Sequence, residues 1–116
     1  MKEVLNLWLS KNARLPGVLA CAVRYQDQTS FTQSWSSPFK PEALENACRC
    51  LADTFQVLQL NRFTGSRVRW IFENALVFAT RRADGTCLGI FTTNDPLAFD
   101  RADIERLLGE FGALRA

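Results

Sequence analysis

Apolar residues in this chain recur with two different periods, and the order in which those periods alternate leaves few architectures open. A helical spacing comes first, then two alternating stretches, a long helical stretch, three more alternating stretches and a last helical one. This α-ββ-α-βββ-α order fills nearly all of the 116 residues. A strand buries a face and a helix buries a stripe, so each needs a neighbouring layer to cover it. The order therefore predicts an α+β fold in which helices lie against a sheet.

The first helix is expected over residues 3–12, with Val4, Leu5, Leu7, Trp8 and Leu9 crowding one broad face. It must end before Pro16, because the residue preceding a proline is pushed toward extended geometry. Val18–Tyr25 reads as a central strand, since both of its alternating faces are apolar. Gln26-Asp27-Gln28 forms a polar turn. Thr29–Trp35 alternates Phe31, Gln33 and Trp35 against Ser30, Thr32 and Ser34, the pattern of a half-buried edge strand. Ser36–Lys40 is a loop.

Three strands are expected in the second half, near Arg67–Phe72, Ala75–Arg82 and Thr86–Thr93, with Glu73-Asn74 at the first turn. Asp84-Gly85 is the stronger turn signal and predicts a type I′ hairpin. That turn would set Phe78 opposite Phe91, Leu76 opposite Thr93 and Ala79 opposite Ile90. Asp95-Pro96 closes the last strand, and Asp100 is placed to cap the final helix. Phe99 and Ile104 occupy the positions of a hydrophobic staple, and Ile104, Leu107, Leu108 and Phe111 form its apolar stripe. The chain has no evident internal repeat, low-complexity tract or linker, and reads as one domain over residues 1–116.

The long helix, expected from Pro41 to about Leu60, carries more apolar surface than one sheet requires. Pro41 suits a first helical turn, where its missing N–H costs nothing. Leu44, Cys48, Leu51, Phe55 and Leu58 make the core stripe. Beside it runs a row of mostly small residues, Ala43, Ala47, Cys50, Thr54 and Val57. At about 100° per residue the two rows together span roughly half the helix surface. The second row serves either as a helix-helix contact with another subunit or as the flank of a helix seated deep in its own sheet.

Composition excludes several chemistries. The chain has no histidine, so Ser-His and Cys-His nucleophile arrangements are absent. No G-x-x-x-x-G-K-[ST] occurs. Asp100/Asp103 and Glu42/Glu45 fall in first helical turns, where capping and the helix dipole account for carboxylates. Cys21, Cys48, Cys50 and Cys87 lack the spacing of a zinc site and read as reduced, mostly buried thiols. A net charge of +2 gives no case for nucleic acid. No segment reaches the roughly 18 apolar residues of a membrane span, and no secretory leader precedes the first helix, so a cytoplasmic location is expected. No cofactor or metal is expected.

The basic residues Arg62, Arg67 and Arg69, and Arg81-Arg82 beside the Asp84-Gly85 turn, suit either an acidic partner surface or solvated strand ends. Trp70 alternates with Val68 and Phe72 and is expected to pack, while Trp8 and Trp35 are candidates for partial exposure.

Taken together, the element order resembles the roadblock/dynein light chain family over essentially the whole chain. Leu15-Pro16-Gly17-Val18 looks like that family's link from first helix to first strand, Lys40-Pro41-Glu42 like the start of its long helix, and Arg67–Thr93 like its meander. The resemblance implies a three-layer α/β/α sandwich around a five-stranded antiparallel sheet, with the first and last helices on one face and the long helix on the other. It implies a dimer built from the long helices and adjacent edge strands, with Ala43, Ala47, Cys50, Thr54, Val57, Arg67 and Arg69 as dimer or partner interface. Two copies of Arg67 and Arg69 near a two-fold axis would repel unless carboxylates face them, and the same arginines would otherwise protect the edge of a monomer. The function implied is that of a non-enzymatic module that binds or regulates a Ras-like small GTPase. A small-ligand sensor or profilin-like domain, and a structural adaptor with no GTPase partner, are the other readings. A sensor would be a monomer with a ligand pocket, and a GTPase module would have no pocket of drug-like size.

Overall fold

The computed structural model describes residues 2–35, 41–60, 67–72, 75–82, 84–95 and 97–114, with backbone alone at 41, 58–60 and 67–72. The elements are α1 (Lys2–Asn12), β1 (Val18–Arg24), β2 (Ser30–Ser34), α2 (Pro41–Leu60), β3 (Arg67–Phe72), β4 (Ala75–Arg81), β5 (Cys87–Thr93) and α3 (Arg101–Ala113). The strands form one antiparallel sheet in the order β2-β1-β5-β4-β3. The expected turn at Glu73-Asn74, the loop Ser36–Lys40, Arg62, and the packing of Leu58 and Trp70 lie outside the described residues.

Two apolar layers result, one on each face of the sheet. On one face Leu5 and Leu9 of α1 and Ile104, Leu107, Leu108 and Phe111 of α3 pack on Val23, Phe78, Leu88 and Ile90. On the other, Leu44, Cys48, Leu51 and Phe55 of α2 pack on Ala20, Ala22, Val77, Ala79 and Phe91. The alternation within β4 sorts these side chains: Phe78 enters the first layer and Val77 and Ala79 the second.

α1 buries less than its sequence suggests. Leu5 and Leu9 are fully buried and Trp8 is half-buried, but Val4 and Leu7 are 51% and 58% exposed. Leu5 and Leu9 are four residues apart on one line of the helix, whereas Leu7 projects on the far side of that line. The broad apolar face is therefore a narrow seam plus two solvent-facing side chains. α3 follows expectation: the Asp100 side chain accepts a hydrogen bond from Ala102 N–H at 2.9 Å, and Phe99 packs on the cluster that holds Ile104. Trp35 and Trp8 are both half-buried, the latter with its ring 6.2 Å from Phe111.

The β4–β5 hairpin differs from the type I′ reading. Arg82 N–H donates to Thr86 C=O at 2.8 Å and Gly85 N–H to Arg82 C=O at 3.0 Å, so three residues, not two, lie between the closing pair. Positive φ falls on Gly85 (+93°) and not on Asp84. Asp84 instead accepts from Thr86 N–H at 2.9 Å through its side chain. The extra loop residue shifts the register by one: Phe78 pairs with Ile90, Leu76 with Thr92 and Ala79 with Gly89.

The β1–β2 turn has the same design. Tyr25 N–H donates to Thr29 C=O at 2.8 Å, Gln28 N–H to Tyr25 C=O at 3.0 Å, and Asp27 accepts from Thr29 N–H at 3.1 Å. Gln28 takes the left-handed conformation, φ +72°, that Gly85 takes in the other hairpin. Two glycines fix the packing between elements. Gly17, φ +81°, lies so close to the Ala98–Phe99 backbone that a Cβ there would meet the Ala98 carbonyl oxygen at 2.5 Å. On β5, a Cβ at Gly89 would meet Leu51 Cδ1 of α2 at 2.5 Å.

Candidate interaction surface

α2 presents three strips of surface. Its core stripe is spent on the sheet: Leu44, Cys48, Leu51 and Phe55 are buried. On one flank of that stripe lies the row of mostly small residues. Ala43 and Cys50 are exposed, Val57 is 56% exposed, and Thr54 is half-buried with its hydroxyl donating to Cys50 C=O at 2.8 Å. Ala47 is half-buried and packs against the α2-side core. The sheet thus takes up part of this row and leaves three of its five members open.

Arg67 and Arg69 lie on β3, at the opposite end of the strand order from β2. Their positions pair with Thr80 and Phe78. Phe78 belongs to the layer under α1 and α3, so positions 67 and 69 fall on register rows of that face, whereas the α2 row lies over the other. The seven residues expected to form one interface are divided between an exposed helix flank and an edge strand.

The second flank of α2 borders a polar cleft of about 460 Å³. Arg24 from β1, Arg49 and Asp53 from α2, Arg81 from β4 and the turn residues Gln26 and Gln28 line it. Cys87 lies in its wall, its thiol pushed up to about 11 by burial. A module with no pocket of drug-like size was the expectation, and this cleft departs from it. Arg81 and Arg82 were read together as one basic pair, but their roles separate. Arg81 faces the cleft, while the Arg82 side chain, 11% exposed, turns to α3 and lies over the Phe111 ring. It is no solvated strand end.

Three of the four thiols are buried, Cys21, Cys48 and Cys87, and all four are free. Burial pushes Cys21 and Cys48 up to about 12. Among the described residues no cluster of Cys, Asp and Glu is arranged to hold a metal ion, and no helix is long and apolar enough to cross a membrane.

No family model and no curated protein matches the chain. Solved structures do. A roadblock/LC7 domain from Streptomyces avermitilis is 14% identical, with a TM-score of 0.66 over 91% of this chain and 90% of that one. The gliding protein MglB from Thermus thermophilus is 12% identical, with a TM-score of 0.62 over 96% of this chain and 87% of that one. MglC from Myxococcus xanthus is 20% identical, with a TM-score of 0.53 over 90% and 92%. The chain has the roadblock/LC7 fold.

On this roadblock fold the cleft was the part that the sequence reading missed, although a signal for it exists. Residues 24–29, R-Y-Q-D-Q-T, and 81–86, R-R-A-D-G-T, share the pattern R-x-x-D-x-T. Each copy builds a three-residue turn closed by Asp and Thr, with an arginine ending the strand before it. The pattern is a short local repeat inside a chain whose longer segments do not repeat.

Proposed function

We propose that this chain is a single-domain, non-enzymatic roadblock module that forms a homodimer in the cytoplasm and binds or regulates a Ras-like small GTPase. One observation carries the reading. α2 satisfies its sheet with one stripe and still holds Ala43, Cys50 and Val57 open beside it. Small side chains at Ala43, Ala47 and Cys50 let a second helix backbone approach closely, and a two-fold contact between two α2 helices would cover the row. Arg67 and Arg69, on the edge strand and on register rows of the opposite face, would join the interface only where the edge strands of the two copies also meet. The likeness in fold to a roadblock/LC7 domain and to a gliding protein supports the family resemblance from which the GTPase partner is taken.

The test has two stages. Sedimentation equilibrium of the wild-type chain should give a dimer, and Ala47→Glu or Cys50→Arg a folded monomer. Pull-down from source-cell lysate with GTP analogue or GDP should then enrich a small GTPase in one nucleotide state. A dimer unaffected by either substitution removes the α2 row as the contact.

The polar cleft favours a second reading, a small-ligand sensor of the same layout. Its mark would be a monomer that retains a bound small molecule through purification.

A further inference from the structure

The cleft beside α2 gathers positive charge from three separate elements. Arg24 and Arg81 are the last residues of β1 and β4, and each pairs with Cys87 on β5, one from either side. They therefore occupy one row across three strands, about 10 Å apart at two strand spacings. Cys87 belongs to the layer under α2, so this row lies on the α2 face of the sheet. α2 contributes Arg49 and Asp53 to the same cleft.

The walls hold these groups in place. Arg24 Nη1 donates to Ser30 Oγ at 3.0 Å, and Arg49 Nη2 donates to Asn46 Oδ1. The two hairpin turns meet at one side, where Gly85 approaches Gln26. None of Arg24, Arg49 and Arg81 forms an ion pair among the described residues. Among the described lining residues Asp53 is the one carboxylate, so three cations face one anion there. Like charges brought together repel, and an anion placed between them reverses the sign of that interaction. Guanidinium forks bind phosphate oxygens in pairs. A volume of about 460 Å³ lies within the range of small-molecule sites.

We propose that this cleft binds a small, soluble phosphate-bearing molecule that also carries hydroxyl groups, of the sugar-phosphate or nucleotide class. Arg24, Arg49 and Arg81 hold the phosphate and Asp53 accepts from a hydroxyl. The inference deepens the ligand-sensing reading and does not depend on the dimer row. Arg49 and Asp53 lie on average about 80° around the helix from Ala43, Cys50 and Val57.

Titration calorimetry of the full chain against inorganic pyrophosphate and ribose 5-phosphate tests it. Saturable binding tighter than about 1 mM is expected, weakening as salt is raised. Arg49→Gln and Arg81→Gln should each weaken both probes about tenfold or more. Asp53→Asn should weaken ribose 5-phosphate relative to pyrophosphate. Arg49 is exposed, so its variant tests the cleft even where an Arg24 variant fails to fold. Ala47→Glu should leave both affinities unchanged, which separates loss of the dimer from loss of the site. No saturable heat with either probe, or binding that survives both arginine substitutions, overturns the proposal.

Discussion

Arg82 Nη2 donates to the carbonyl oxygen of Leu114, the residue that caps α3, at 2.6 Å. The same guanidinium lies 5.5 Å over the Phe111 ring, and its Nε is 3.5 Å from Asp84 Oδ2. One side chain thus joins the β4–β5 turn to the end of the last helix. A charged donor to a part-buried carbonyl contributes about 1.5–3 kcal/mol. Arg82→Met should lower unfolding free energy by about 2 kcal/mol in urea titrations. Arg82→Lys should recover little of it, because an ammonium lacks the fork that reaches Leu114 and Asp84 at once.

Gln28 holds a left-handed backbone that costs a side-chain-bearing residue about 1 kcal/mol. The matching turn has Gly85 at that place. Gln28→Gly should raise stability by about 0.5–1 kcal/mol, seen as a higher midpoint in thermal unfolding followed by circular dichroism. An unchanged or lower midpoint would contradict the equivalence of the two turns.

Gly17 has both a positive φ and no room. Its Cβ would collide with the Ala98 carbonyl oxygen, a backbone atom that cannot rotate away. Gly17→Ala should cost about 2–3 kcal/mol and detach the segment before α3 from the start of β1. Hydrogen exchange should show this as faster exchange at Thr93, whose N–H donates to Gly17 C=O at 3.0 Å.

Acid should loosen the hairpin turns. Lys2, followed by Thr29, holds the Asp27 carboxyl well below the usual range. At Asp84, burial alone would raise the value, but hydrogen bonds from Thr86 and the nearby Arg82 and Arg81 outweigh it and lower it. A carboxylate whose folded pKa is depressed stabilises the fold above its unfolded pKa, near 4, and that contribution is lost as pH falls through the folded value. Stability should therefore decline below about pH 4. Lys2→Met should shrink the share belonging to Asp27, read from urea titrations repeated across pH.

Native alkylation should modify one thiol. Cys50 is exposed, whereas Cys21, Cys48 and Cys87 are buried with thiols raised to about 12, 12 and 11. Iodoacetamide reacts with thiolates. Mass spectrometry should find Cys50 labelled first, and all four residues labelled only in denaturant. If the α2 row is a dimer contact, Cys50 labelling should slow as protein concentration rises.

Most of the fold was legible because periodicity reports burial. Val18–Arg24, apolar on both faces, lies between β2 and β5, and Leu44, Cys48, Leu51 and Phe55 point into the sheet as a helical stripe should. Other features depend on relations that periodicity does not report. Asp84-Gly85 permits both a two-residue and a three-residue loop, and only the pairing of Arg82 with Thr86 decides between them. The cleft depends on Arg24 and Arg81 meeting Cys87 from opposite sides, a relation between strands remote in sequence. The exposure of Val4 and Leu7 was hidden for a related reason. An apolar helix face can be wider than the seam that its neighbours leave for it.

Gly89 sets how low α2 rides on the sheet, since Leu51 occupies the space where another residue would carry its side chain. A methyl group added there would meet the end of the Leu51 side chain first, and whatever that side chain does not absorb by turning would move α2, with Arg49 and Asp53 on one side and Cys50 on the other. Position 89, itself out of reach of any ligand or subunit, is thus a height adjuster for both outer surfaces at once.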